Sequence, residues 1–436
     1  MHNHSGQDFT LNILFSCSTG EVGQGNDKAI FHPGDTVSGF LKITSRANIV
    51  LENVIITLEG MVRIWECSPA LENELLAVQH RFLKQVQPLP YCDGRVLEIT
   101  ARNSQMIPFR FKLPQHVLFL DSHSEQLLRL PPSLEMGEIL TDNSGSQCMQ
   151  PLVEYGVRTL VTVHISNNLN KVQVQQFRKF ALIPITEPTP PIEQADFPGE
   201  FKPVSTTVLR KHPLAAPIGE LCIAMDEPEP LRVLGDANHN CSKAWVKLLF
   251  KPSKAMESRA YQEQWRCTLN SQIRVKTFYS TMPLNEMASN GLLRANRHLR
   301  FRSELVSLES RKTDLYLRTF STEFYEGNQN PYNVAYSSKL LLPIVVADSL
   351  LPTFGSLLVA RRYALIVSLR IEGLSHQPLL VEVPLQVCYV NSAGSQIPQI
   401  SSENANMLFH TTCIKPNRAS GFGEEETNDI LPGYGV

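Results

Sequence analysis

Hydrophobic and polar residues alternate with a period of two along much of the chain. Val54, Ile56 and Leu58 alternate with Ile55, Thr57 and Glu59. Tyr363, Leu365, Val367, Leu369 and Ile371 alternate with Ala364, Ile366, Ser368 and Arg370. Val381, Val383, Leu385, Val387 and Tyr389 repeat the pattern against Glu382, Pro384, Gln386 and Cys388. Successive side chains of a strand point to opposite faces, so each segment can bury one face and leave the other outside. That arrangement suits antiparallel sheets. Pro384 has no N–H to give to a ladder, so its strand is expected at an edge or a bulge. Helical periodicity is scarce, and "EQLLRLPPSLE" is stopped by Pro131 and Pro132. Turn signals recur between the runs, as in Pro33-Gly34-Asp35, Asp93-Gly94 and Glu326-Gly327-Asn328. An all-β chain made of sandwiches follows.

The pattern is interrupted between Pro184 and Pro203, where "PITEPTPPIEQADFPGEFKP" holds six prolines. Such a stretch reads as a semi-extended connector, not a core element. Strand-like segments flank it on both sides. The expected division is a β-sandwich domain over 9–185, a linker over 186–204 and a second β-sandwich domain over 205–390. After Val390 the chain turns polar, and 391–436 is expected to be a disordered acidic tail.

Composition narrows the function classes. With 42% apolar and 19% charged residues over 436 positions, the chain reads as globular, and its length favours two domains. A net charge of −2 gives no general attraction to nucleic acid, so an anionic partner must meet a local patch. The nine cysteines are scattered, with no Cys-x-x-Cys pair, which argues against a disulfide framework or a zinc site. The start "MHNHSGQDF" lacks a basic region followed by an apolar run, and "LLLPIVVADSLLP" is too short and broken to span a bilayer. A cytoplasmic protein is expected.

Chemistry-bearing motifs are missing. There is no G-x-S-x-G, no H-E-x-x-H and no phosphate loop. His239 with Cys241, His2 with His4, and Asp121 with His123 do not supply a ligand set or a triad. No enzyme activity, cofactor or metal is expected.

Several phrases, taken in order, carry a resemblance. "FHPGDTVSGFLKI" places a Pro-Gly-Asp turn before a strand that contains Gly39. "IVLENVIITLEGMVRIW" adds a second in-strand glycine, Gly60, and "IPFRFKLP" sets Phe109 and Phe111 between prolines. "PPSLE" follows, and "EYGVRTLVTVHI" opens a strand at Tyr155. In the second half, "LLPIVVADSLLPTFGSLLVARRYALIVSLRI" and "LLVEVPLQV" give a leucine-proline loop, a serine, a tyrosine-led strand and a strand holding Pro384. Over about residues 9–390 this series resembles the arrestin family, most closely its alpha-arrestin branch. The match is poor over "MGEILTDNSGSQCMQ" and over 255–335, which read as enlarged loops.

The resemblance implies two tandem arrestin-like, immunoglobulin-like β-sandwiches. It also implies an adaptor that recognises membrane transporters or receptors by their cytosolic tails. Such an adaptor brings them to a WW-domain HECT-type ubiquitin ligase for endocytosis and sorting, at the plasma membrane and endosomes. The ligase link in this branch is a proline-tyrosine peptide that enters an aromatic-lined groove. PPxY is absent here, and Leu431-Pro432-x-Tyr434 is the one correctly spaced variant. Arg294, Arg297, Arg300 and Arg302 form a candidate site for an anion or an anionic lipid. Arg294 with Arg297, and Arg297 with Arg300, would share a helical face, whereas Arg300 and Arg302 would share a strand face. Arg81 and Lys84, beside His80 on an expected strand, are candidate cargo contacts together with Arg110 and Lys112, which should point away from Phe109 and Phe111. The alternatives are an arrestin-fold signalling or pH-response scaffold and a retromer-like coat subunit, neither recruiting a ligase.

Overall fold

The computed structural model describes residues 9–16, 29–68, 74–87, 97–117, 125–135, 140–141, 147–148, 151–165, 171–186, 192, 197–233, 241–253, 264–320, 335–346 and 350–389. The fold is all-β, with several sheets and one six-residue α-helix among the described residues. None of those residues forms a helix long and apolar enough to cross a membrane.

The first core lies between two sheets. β1 (Phe9–Phe15), β2 (Thr36–Ser45) and β5 (Ser104–Lys112) form a three-stranded antiparallel sheet in the order β1-β2-β5. β3 (Ile49–Ser68), β4 (Glu74–Gln87), β6 (Leu152–Ile165) and β7 (Lys171–Leu182) are the long strands of the facing sheet, in the order β7-β6-β3-β4. Alternation puts Ile13, Leu41, Phe109 and Phe111 on one inner face, opposite Ile56, Leu58, Val157 and Phe180 on the other. Burying such side chains contributes ~25 cal/mol for each Å² of apolar surface removed from water, which is the main force holding the sheets together.

Two glycines are needed for this geometry. Gly34 has φ of 89°, which completes the expected turn, and the Asp35 N–H donates to His32 O at 3.0 Å. Gly39 serves close packing and not a bulge: a Cβ there would sit 2.0 Å from Leu14 O and 2.7 Å from the Phe109 ring.

The second core is also enclosed by two sheets. β8 (Val204–Arg210), β9 (Pro217–Met225), β10 (Leu231–Val233), β11 (Cys241–Pro252), β15 (Ala335–Val345) and β18 (Val387–Tyr389) belong to one. β12 (Gln264–Ser280), β13 (Leu299–Ser307), β14 (Arg311–Tyr316), β16 (Val359–Ile371) and β17 (Leu379–Leu385) belong to the other. β17 pairs with β16 on one side only, apart from a bridge between Glu382 and Lys202, so Pro384 stands in an edge strand.

The two largest cores draw mainly on residues 9–182 and on residues 209–387, and some residues of the second half join the first. Leu351, Phe354, Leu357, Leu358 and Val359 pack into the first core, although they lie far along the second half of the chain. The two halves also share a local device. The Tyr155 hydroxyl donates to Pro131 O at 2.7 Å, and the Tyr363 hydroxyl donates to Leu351 O at 2.6 Å. Each buried tyrosine thus ties its long strand to an upstream leucine-proline loop. A serine follows in each case, with different partners: Ser133 Oγ accepts from Leu182 N on β7, whereas Ser356 Oγ donates to Val359 O three residues on.

The stretch "EQLLRLPPSLE" forms only a short 3₁₀ turn at Glu125–Leu128 before its prolines. The connector is not free of the fold. Residues 197–203 dock on the outer face of the β12–β16 sheet, where Lys202 exchanges both backbone hydrogen bonds with Glu382.

Candidate functional site

Arg81, Lys84, Arg110 and Lys112 are all exposed, and two edge strands carry them. β4 borders its sheet, β5 borders the facing sheet, and glutamines bridge the gap between them. Gln85 Nε2 donates to Lys112 O and Gln87 Nε2 to Pro108 O, each at 3.0 Å, while the Arg110 N–H donates to Gln87 Oε1 at 2.8 Å. The bridges satisfy backbone groups that an edge strand otherwise leaves open. Arg110 and Lys112 alternate with buried Phe109 and Phe111, as the pattern required. Arg81 is partly committed: its guanidinium lies 3.7 Å from the buried Glu59 carboxylate, which also holds Arg158 at 2.8 Å. The three cations better disposed to meet an acidic segment are therefore Lys84, Arg110 and Lys112. His80 is turned to a structural task, with Nε2 2.9 Å from Thr281 O.

Arg294, Arg297, Arg300 and Arg302 do not form the expected helical array. Helix α1 (Asn290–Ala295) is capped by Ser289, whose side chain accepts from Leu292 N. It ends before Asn296, which is extended at φ −111° and ψ 106°. Arg294 thus lies in the last turn, Arg297 in a connector, and neither shares a helical face with the next arginine. Arg300 and Arg302 do share a face of β13. Arg302 Nε is 2.8 Å from Glu304 Oε1, and Arg300 Nη1 donates to Arg297 O. Carboxylate and carbonyl partners already occupy part of this group.

A more tightly built charge cluster lies beneath the docked connector. The register of β12 and β16 sets Lys276 opposite Arg362 and Arg274 opposite Ala364. Glu200 reaches in from the connector, with Oε2 2.6 Å from Arg362 Nη2 and 4.0 Å from Lys276 Nζ. Its Oε1 accepts from the Asn290 N–H at the start of α1. The Arg362 guanidinium lies between the rings of Phe197 and Phe278, at 4.2 and 5.1 Å. Arg362 Nε and Nη1 have no hydrogen-bond partner among the described residues, and this stacking occupies the guanidinium faces instead. Arg274 Nη1 is 2.7 Å from both Glu382 oxygens. Burial lowers the pKa of Arg362 and of Lys276, with Glu200 opposing the shift in both.

At the seam between the first core and the 281–283 and 356–358 segments lies a cavity of about 70 Å³, lined by Val62, Phe82, Leu127, Pro131 and Leu357 with His80 at its wall. The lining is mainly apolar. Among the described residues no group of three or more His, Cys, Asp or Glu side chains gathers as a metal site.

No family model matches the chain, and no curated protein matches it. The site is therefore read from its own geometry. Sequence reasoning missed the Glu200–Arg362 cluster. One signal was available: "QIRVKTF" alternates Arg274, Lys276 and Phe278 on a single strand face, an unusual load for a sheet that is covered. Leu431, Pro432 and Tyr434 lie outside the described residues.

Proposed function

We propose that this chain is a non-catalytic, arrestin-like adaptor of the alpha-arrestin kind. It recognises the cytosolic tails of membrane transporters or receptors and links them to a WW-domain HECT-type ubiquitin ligase. The observation that carries the reading is the ordered series of arrestin-like phrases on both sides of a proline-rich connector. The repeated tyrosine-to-loop hydrogen bond in the two halves supports it, because "PPSLE…Y" and "LPTFGS…Y" then perform the same local task.

In this proposal Leu431, Pro432 and Tyr434 enter the WW groove, with proline presetting the extended backbone. Lys84, Arg110 and Lys112 receive an acidic or phosphorylated cargo segment alongside the edge of β5, with Arg81 in a supporting place. The protein acts in the cytoplasm, peripherally at the plasma membrane and endosomes. Titrating the full chain against WW domains, with Tyr434→Ala as control, tests the ligase link. Loss of binding in the variant supports it, and equal binding removes it.

A further inference from the structure

The outer face of the β11–β15 sheet carries large apolar side chains among lysines. β11 alternates strictly: Ser242, Ala244, Val246 and Leu248 are buried, while Cys241, Lys243, Trp245 and Lys247 face outward. β15 lies beside it in register, setting Trp245 opposite Leu341, Cys241 opposite Val345, Lys243 opposite Pro343 and Lys247 opposite Lys339. Trp245, Leu341 and Val345 are 52%, 47% and 63% exposed. Lys251 points to the same side, two turns of the alternation beyond Lys247. Among the described residues the acids on this face are Asp226, paired with Lys247, and Glu220, opposite Lys251, so lysines outnumber them there.

A half-exposed tryptophan directly opposite Leu341, with Pro343 and Val345 continuing the same face along β15, is the kind of apolar surface that marks an interaction site. Three features select the partner. Cross-strand neighbours stand on one side of a sheet, ~4.8 Å apart between strands, so they present a plane and not a groove. Tryptophan favours the membrane–water boundary, and lysine stems lie along apolar surface while their ammonium groups reach anionic headgroups. A second copy of this chain docked face to face would bring the lysines against one another, which opposes self-association. We infer that this sheet face, centred on Trp245, docks on an anionic lipid bilayer. The inference stands on this face alone and does not depend on the WW-binding tail or on Arg294, Arg297, Arg300 and Arg302.

The full chain is tested by cosedimentation with phosphatidylcholine vesicles that do or do not contain phosphatidylserine. Binding is expected only with phosphatidylserine and should weaken as salt rises. Trp245→Thr should reduce it about tenfold. Lys243→Gln combined with Lys339→Gln should reduce it about twenty-five-fold, since each lysine near an anionic leaflet is worth roughly a factor of five. In a Trp65→Phe background, with Trp265 buried, brominated lipid should quench the remaining exposed tryptophan emission. All three side chains changed on this sheet face outward, so the melting temperature should not move, which separates lost docking from lost folding. Unchanged vesicle binding by Trp245→Thr, or absence of quenching, overturns the inference. So does binding lost only with Arg294→Gln and Arg297→Gln. If vesicles do not bind but a synthetic 420–436 peptide shifts Trp245 emission, the face receives an acidic peptide and the bilayer assignment fails.

Discussion

Replacing Glu200 with glutamine should undo the attachment of the connector to the second core. The substitution keeps the side-chain size and an oxygen that can still accept from Asn290 N–H. It removes the negative charge that faces Arg362 at 2.6 Å and Lys276 at 4.0 Å. Removing one partner of a buried ion pair strands the other in a poorly solvated place, at about 3–5 kcal/mol. Two effects reduce that figure here. Arg362 keeps its stacking on Phe197 and Phe278, worth ~1 kcal/mol. Lys276, whose pKa burial already lowers, can release its proton and relieve the repulsion. A loss of about 2–4 kcal/mol is therefore expected, measured as a lower urea midpoint by tryptophan fluorescence. Arg362→Met alone should cost a similar amount, because it leaves Glu200 buried. The double change Glu200→Gln with Arg362→Met should cost less than the sum, since an apolar replacement of a buried pair is often neutral. A loss below ~1 kcal/mol for Glu200→Gln, the range of exposed pairs, would refute the reasoning, and additive single changes would refute the coupling.

Three further outcomes follow from the same geometry. Burial raises the pKa of the Tyr155, Tyr363 and Tyr389 phenols, that of Tyr363 to about 12, whereas unfolded phenols titrate near their ordinary value of about 10. The Tyr363 contribution is thus complete below pH 10 and is lost as pH rises through the window from 10 to about 12, at ~1.4 kcal/mol per pH unit, and Tyr155 and Tyr389 act in the same direction. Urea midpoints compared across that window check the slope, and a flat profile contradicts it. Gly39→Ala should cost ~3 kcal/mol or more by driving a methyl group into Leu14 O, read as a lower melting temperature or loss of soluble protein. Arg110→Glu with Lys112→Glu should weaken binding of a phosphorylated, acidic cargo-tail peptide at least about tenfold while leaving the melting temperature unchanged, because both side chains are exposed.

Much of the sheet architecture is legible in local pattern. Val54 to Glu59 and Tyr363 to Ile371 alternate in sequence but not in burial: Thr57, Glu59, Ala364 and Ile366 are buried as well, because other segments cover the faces expected to stay outside. Pro384 marks its strand as an edge because the missing N–H allows little else. Gly34 and the alternation around Phe109 are equally local, so the turn and the outward direction of Arg110 and Lys112 can be read directly. What escapes the sequence depends on register between distant strands. Glu200 meets Arg362 only because the connector folds back on a sheet whose pairing sets Lys276 opposite Arg362. Leu351 to Val359 join the first core because the Tyr363 hydroxyl anchors their loop across the seam, a contact that no periodicity announces. The arginines at 294 and 297 look helical by spacing. The helix ends at Ala295 because Asn296 is extended, and that choice is tertiary. Trp245 lies in a visible alternation, yet its pairing with Leu341 comes from the ladder between β11 and β15.

The adaptor reading depends most directly on the tail. The decisive measurement is a calorimetric titration of the full chain with the WW domains of a HECT-type ligase, compared with the Tyr434→Ala variant. The account predicts saturable binding by the native chain and at least a tenfold loss, roughly 1.4 kcal/mol, in the variant. Absence of binding by the native chain, or equal binding by both, would contradict it.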